Sequence, residues 1–133
     1  MRYLLDTHVF LWATGQSHKL PANIRTVIED EANGVFVSAI VFWEIAIKTR
    51  LGKLDIGGRS ALELLGLAQT MGFQLVGVEP DEAATFDQLE ENTHFDPFDR
   101  MLIWQAICRN TTLISGDSEF KRFEKHGLKL LWK

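Results

Sequence analysis

Residues 2–8 read Arg2-Tyr3-Leu4-Leu5-Asp6-Thr7-His8, an apolar strand-like run that stops at an aspartate and leads directly into a helical pattern. The same order, strand and then acid, returns in Leu113-Ile114-Ser115-Gly116-Asp117. Continuously apolar strands that alternate with helices are typical of a parallel sheet covered on both faces. Ligands gather at the carboxyl ends of the strands in such sheets, so we expect Asp6 and Asp117 to lie at one edge.

The remainder of the chain continues this alternation and predicts a single α/β domain over residues 1–133 with four to five parallel strands. We predict strands at residues 2–6, 35–38, 73–78, 111–115 and 128–132. We predict helices at about residues 8–14, 22–32, 39–51, 59–71, 81–91, 97–109 and 118–125. Gly72 is expected to end its helix in the left-handed conformation.

The composition is that of an ordinary globular protein, with 133 residues, 46% hydrophobic and 24% charged. The longest apolar run, residues 35–43, is too short to cross a bilayer, and residues 1–6 lack the apolar stretch of a signal peptide. The only cysteine, Cys108, excludes an internal disulfide and is expected to be a buried packing residue. We therefore expect a cytoplasmic protein without membrane contact.

The formal net charge of −4 argues against a general polyanion binder. It does not exclude a nucleic-acid substrate, because an acidic metal site lowers the net charge and a bound cation restores local positive charge.

Glu44 interrupts an otherwise apolar helix that must be covered over most of its surface. Glu44 and Lys48 are four residues apart, so one interpretation is an exposed ion pair that stabilises the helix by about 0.3 kcal/mol. We favour the other interpretation, in which a narrow polar stripe on a covered helix faces a cleft.

The other acids also have structural explanations. Asp6 is suited to cap a helix, and Asp117 to stabilise a turn after Gly116. Asp96 precedes Pro97 and is a good N-cap, which puts Asp99 at the third helical position. We assign Asp96 mainly to capping and expect Asp99 to project toward a site.

Four carboxylates beside apolar segments would be costly to bury unpaired, and a hard divalent cation is their natural partner. This makes a metal-dependent hydrolase the leading hypothesis. A receiver-like signalling domain is the alternative that is not an enzyme, but it requires paired acids after the first strand. A haloacid-dehalogenase-type phosphatase requires a second aspartate at the position that His8 occupies.

Four segments, in this order and spacing, resemble the acidic segments of PIN-domain ribonucleases of the VapC toxin type. They are Met1-Arg2-Tyr3-Leu4-Leu5-Asp6-Thr7-His8-Val9-Phe10-Leu11-Trp12, Ser38-Ala39-Ile40-Val41-Phe42-Trp43-Glu44-Ile45, Asp96-Pro97-Phe98-Asp99-Arg100-Met101-Leu102-Ile103 and Leu113-Ile114-Ser115-Gly116-Asp117. The resemblance implies a compact three-layer α/β/α sandwich, commonly a homodimer, that cleaves RNA with Mg²⁺ or Mn²⁺. It also implies inhibition by a small VapB-like antitoxin.

Carried over by motif, the acidic set is Asp6, Glu44, Asp99 and Asp117, with Asp96 as the substitute for Asp99. Ser115 stands where the family often has Thr, which keeps the hydroxyl.

From this resemblance we expect Asp6 and Asp99 to bind the main ion, Asp117 to assist, and Glu44 to hold the attacking water. Arg50 and Arg100 are candidate contacts to the RNA backbone. A catalytically inactive binding relative is disfavoured because all four acids are present.

Overall fold

The computed structural model describes residues 1–94 and 96–133. Its sheet contains five parallel strands in the order β3-β2-β1-β4-β5, which confirms the predicted fold class. The strands are β1 (Arg2–Leu5), β2 (Gly34–Ser38), β3 (Gln74–Val76), β4 (Thr112–Ile114) and β5 (Leu130–Leu131). Consecutive residues of the central strand, Leu4 and Leu5, are both buried, so both faces of the sheet are covered.

The α-helices are α1 (Thr7–Gly15), α2 (Ala22–Glu29), α3 (Ala39–Arg50), α4 (Ala61–Thr70), α5 (Pro80–Ala84) and α6 (Pro97–Cys108). Three 3₁₀ segments cover Ser17–Lys19, Phe86–Gln88 and Ser118–His126. The chain passes from β1 to β3 in one direction across the sheet and from β4 to β5 in the other. Right-handed crossovers therefore place α1–α4 on one face and α5, α6 and the last 3₁₀ segment on the opposite face.

The predicted helix over residues 81–91 is wrong in length, because α5 stops after Ala84. The indole of Trp104 donates a hydrogen bond to the carbonyl of Glu82, the group that a longer helix would pair with the amide of Phe86. The hydroxyl of Thr85 also bonds back to the carbonyl of Asp81, a contact that competes with a regular continuation.

Two other helices differ from prediction. The predicted helix over 22–32 ends at Glu29, because the side chain of Asp30 accepts the amide of Ala32 and forms a turn. The last helix is 3₁₀ throughout.

Cys108 is exposed, contrary to the prediction, because α6 buries Leu102, Ile103, Gln105 and Ala106 on its other side.

A buried polar network holds α6 against the end of β2. The hydroxyl of Ser38 donates to the amide oxygen of Gln105 at 2.6 Å, and the Gln105 amide nitrogen donates to Glu82 at 3.2 Å. Glu82 in turn accepts two hydrogen bonds from the guanidinium of Arg109, at 2.7 and 2.9 Å. These contacts fix the axis of the helix that begins beside Asp99.

Within the described part of the chain, no helix combines the length and apolarity that crossing a membrane requires.

Candidate functional site

Asp6 lies at the point where the direction of the strand order reverses, between the carboxyl ends of β1 and β4. Its amide donates to the carbonyl of Ile114 at 3.1 Å, which sets Asp6 level with Ser115. Its carboxylate accepts the amide of Val9 at 2.8 Å and caps α1, as one of the two interpretations of the sequence expected.

Asp6 is only 4% exposed. This burial raises the pKa of Asp6 to about 6, although hydrogen bonds from Ser115 and Val9 lower it. The negative charge of Asp99 raises the pKa of Asp6 further, so the two acids lie within electrostatic range of each other. Such a carboxylate gains from a nearby cation.

Glu44 is buried on α3 at 4% exposure, so its side chain faces the interior edge of the site. Its Oε1 accepts the hydroxyl of Thr7 at 2.5 Å, which ties it to the residue that follows Asp6. Its Oε2 accepts Lys48 Nζ at 2.5 Å. The predicted ion pair therefore exists, but on a covered face rather than in solvent.

Asp99 projects from the first turn of α6. Its amide donates to Asp96 Oδ1 at 2.9 Å, so Asp96 is the helix cap that the sequence predicts. Its Oδ2 contacts Nε2 of His94 at 2.9 Å. Burial raises the pKa of Asp99, His94 lowers it, and the charges of Asp96 and Glu44 raise it again. Asp6, Glu44 and Asp99 therefore form one electrostatic cluster.

Asp117 caps the start of the last 3₁₀ segment. It is exposed, and its carboxylate accepts the amide of Glu119 at 2.9 Å. Asp6 and Asp117 line the same cleft, of about 270 Å³. The fold thus brings Asp117 next to Asp6.

Among residues 1–94 and 96–133, no three His, Cys, Asp or Glu side chains converge as ligands for one ion. The donor set nevertheless fits Mg²⁺ or Mn²⁺. Mg²⁺ typically uses one or two carboxylates and fills its shell with water and substrate phosphate. Burial disfavours the charged form of both Asp6 and Asp99 and raises the pKa of each, and a cation beside either carboxylate would offset this effect.

Three neighbours of the acids went beyond the sequence expectations. The hydroxyl of Thr7 donates to Glu44 rather than to Asp6, the residue that precedes it. Lys48 also approaches Asp96, at 3.7 Å. His94 has no sequence signal, because it lies outside any regular element and reaches Asp99 only through the path of the loop.

Arg50 and Arg100, the two candidate RNA contacts, differ in how accessible their side chains are to RNA. Arg50 is exposed at the end of α3. The guanidinium of Arg100, however, donates to the backbone carbonyls of Leu89, Glu91 and His94, so it holds the loop before α6. We therefore retain only Arg50 as a proposed contact.

The fold and site define a class: parallel α/β proteins with a carboxylate cluster beyond the ends of the central strands. The family model of the PIN domain matches residues 3–126, and the chain belongs to the PIN-domain family. Proteins of this family are in general nucleases that use divalent metals. No curated protein matches the chain.

Solved structures with the same fold include VapBC and FitAB structures. The chain is similar to VapBC2 from Rickettsia felis bound to a promoter DNA fragment, with 17% identity, a TM-score of 0.70 and full coverage of both chains (100% and 100%). It is also similar to VapBC-1 from nontypeable Haemophilus influenzae, with 16% identity, a TM-score of 0.69 and coverage of 98% and 97%. FitAcB from Neisseria gonorrhoeae shows 20% identity, a TM-score of 0.61 and coverage of 97% and 96%.

Proposed function

We propose that this protein is a Mg²⁺- or Mn²⁺-dependent endoribonuclease and the toxin of a toxin–antitoxin pair. The observation that carries this proposal is the position of buried Asp6 at the strand-order reversal of a PIN fold, with the half-buried carboxylate of Asp99 close enough to raise its pKa. A structural role alone does not explain why Asp99 is kept where its charge raises the pKa of buried Asp6.

Asp6 and Asp99 would hold the cation, directly or through water, with Asp117 assisting from across the cleft. A bound divalent cation would neutralise phosphate charge and make water more acidic. Glu44 would orient that water and accept its proton. Thr7 and Lys48 each bind one oxygen of Glu44 and so fix the plane of its carboxylate.

The partners follow from the same family context. We propose a small VapB-like antitoxin as the inhibitor, because the chain shares its fold with structures of VapBC and FitAB complexes. We also propose a homodimer and action in the cytoplasm, where RNA is accessible. The mass of the purified protein in solution tests the dimer.

Incubation of the pure protein with total RNA tests the activity. We expect cleavage with Mg²⁺, none with EDTA, and none for Asp6→Asn. The matched control is Asp87→Asn, which changes an exposed acid of the 3₁₀ segment and should leave cleavage intact. Full activity of Asp6→Asn would contradict the assignment. Binding of RNA without cleavage under every condition would favour a binding module instead.

A further inference from the structure

Three adjoining clefts form a track with Asp6 and Asp117 in the middle. The acid cleft, described above, is lined by Asp6, His8, Val9, Trp12, Gly116, Asp117 and Trp132. On one side it shares His8 and Trp12 with a helix cleft of about 600 Å³ along α1. On the other side it shares Gly116, Asp117 and Trp132 with a lysine cleft of about 430 Å³, which also contains Lys121 and Lys133. An extended polymer can therefore follow one continuous surface across the carboxylates.

Two tryptophans form the walls between these clefts. The rings of Trp12 and Trp132 lie 6.3 Å apart between centroids and are tilted by 41°. Both are half-buried, so each keeps an accessible edge or face. Their positions put aromatic surface directly beside Asp6 and Asp117.

Gly116 explains how Trp132 comes so close to the end of β4. A Cβ atom at position 116 would lie 2.7 Å from the ring of Trp132, a distance that real contacts do not reach. Any larger residue at position 116 would push the ring away from the acid cleft. The absence of a side chain at Gly116 thus places the indole next to Asp117.

We propose that Trp132, backed by Trp12, is the surface on which one base of the RNA stacks beside the carboxylates. This inference rests on the proposed ribonuclease function and names the side chains that position its substrate. Base–aromatic stacking needs an unpaired base and tolerates any sequence. Lys121 and Lys133, in the adjoining cleft, supply the positive charge that a neighbouring phosphate requires.

RNA fits this surface better than a protein segment does. A polyanion needs cationic groups on its path, and Lys121 and Lys133 line the lysine cleft next to the aromatic surface, together with the acids Glu124 and Asp117. A protein inhibitor that bound the same groove would need basic side chains of its own to form ion pairs with Asp6 and Asp117. Unchanged RNA binding in the Trp132 variants of the experiment below would favour that second occupant over RNA.

The test measures binding of a fluorescein-labelled single-stranded RNA of mixed sequence in EDTA at low ionic strength, so that cleavage plays no part. Loss of one stacking contact should raise the Kd of Trp132→Ala by about 5- to 150-fold. Trp132→Phe should recover most of this affinity, since the smaller ring still stacks. Trp43→Ala is the matched control: Trp43 is 59% exposed, and the lining of the three clefts, as far as the described residues define it, does not include Trp43.

Gly116→Ala provides a test that keeps the indole and moves it. We expect RNA to quench the tryptophan fluorescence of the unmodified protein, and we expect Gly116→Ala to bind RNA more weakly and to lose this quenching. Lys121→Gln should reduce the salt dependence of binding without changing the quenching. Far-UV circular dichroism establishes that each variant is folded. Should Trp132→Ala fail to fold, Trp132→Phe and Gly116→Ala still decide the question through the fluorescence signal.

The proposal is overturned if Trp132→Ala and Gly116→Ala bind RNA as tightly as the unmodified protein. It is equally overturned if Trp43→Ala alone weakens binding. Failure of the ribonuclease proposal would look different: the unmodified protein would not cleave RNA with Mg²⁺, whatever the binding experiments show.

Discussion

Replacing Asp6 by Asn should stabilise the metal-free protein while removing its activity. The side chain keeps its shape, and an amide oxygen can still accept the amide of Val9. A tenfold change in an equilibrium constant is about 1.4 kcal/mol, so raising the pKa of Asp6 from 3.8 to about 6 destabilises the fold by about 3 kcal/mol once the group is ionised. Asn does not ionise, so the variant is not destabilised in this way.

The direction of the pKa shift of Asp6 determines the pH range in which the two proteins differ in stability. A carboxyl whose pKa is higher in the folded state binds protons more tightly there, so folding is favoured at low pH and loses free energy as the pH rises from 3.8 to about 6. The two proteins should therefore have similar stability near pH 3.5. Above about pH 7, Asp6→Asn should be more stable by up to about 3 kcal/mol.

Urea denaturation in EDTA at a series of pH values measures this difference. Addition of Mg²⁺ should then stabilise the unmodified protein and leave Asp6→Asn nearly unchanged, because ligand binding to the folded state raises its stability. Equal stability of the two proteins near neutral pH would refute the electrostatic reasoning. Equal responses to Mg²⁺ would refute the assignment of Asp6 as a ligand.

Three further substitutions test contacts around the site and the fold, all by urea denaturation. Thr7→Val leaves Oε1 of buried Glu44 without its donor and should lower the free energy of unfolding by about 1–3 kcal/mol. Cleavage should be lost as well. An unchanged urea midpoint would exclude the contact. Arg109→Met removes the two hydrogen bonds to buried Glu82 and should cost about 3 kcal/mol, far more than a surface ion pair. Gly127→Ala should cost about 1–2 kcal/mol because its φ is +101°, where a Cβ atom is strained; a neutral effect would contradict the left-handed cap.

Much of the fold was readable from the sequence, because alternating strands and helices leave few topologies. Buried runs such as Leu4–Leu5 and Leu113–Ile114 specify parallel strands, and right-handed crossovers then place the helices. Helix lengths were less predictable. The end of α5 depends on Trp104, an indole 20 residues away in the chain from Ala84, and no local pattern reports such a contact.

The site was partly readable for a similar reason. Asp6 and Asp117 follow strands, so the topology alone brings them to one edge. Glu44 stands out as an acid on an apolar helix. Two other contacts depend on the path of the irregular segment before α6. Asp99 pairs with His94, and Arg100 donates hydrogen bonds to backbone carbonyls of the loop. The periodicity of a sequence does not encode such a path.

The capping and metal-binding interpretations of the acids are compatible. A carboxylate has two oxygens and about four acceptor positions, and a helix cap uses only one of them. Asp6 Oδ1 accepts the amide of Val9, and Asp117 Oδ1 accepts the amide of Glu119, so each cap fixes the direction of the second oxygen. Under the proposed function, capping would orient these two carboxylates before a cation binds, without the need for additional side chains. The residues that looked most ordinary in the sequence are therefore the ones best prepared for chemistry.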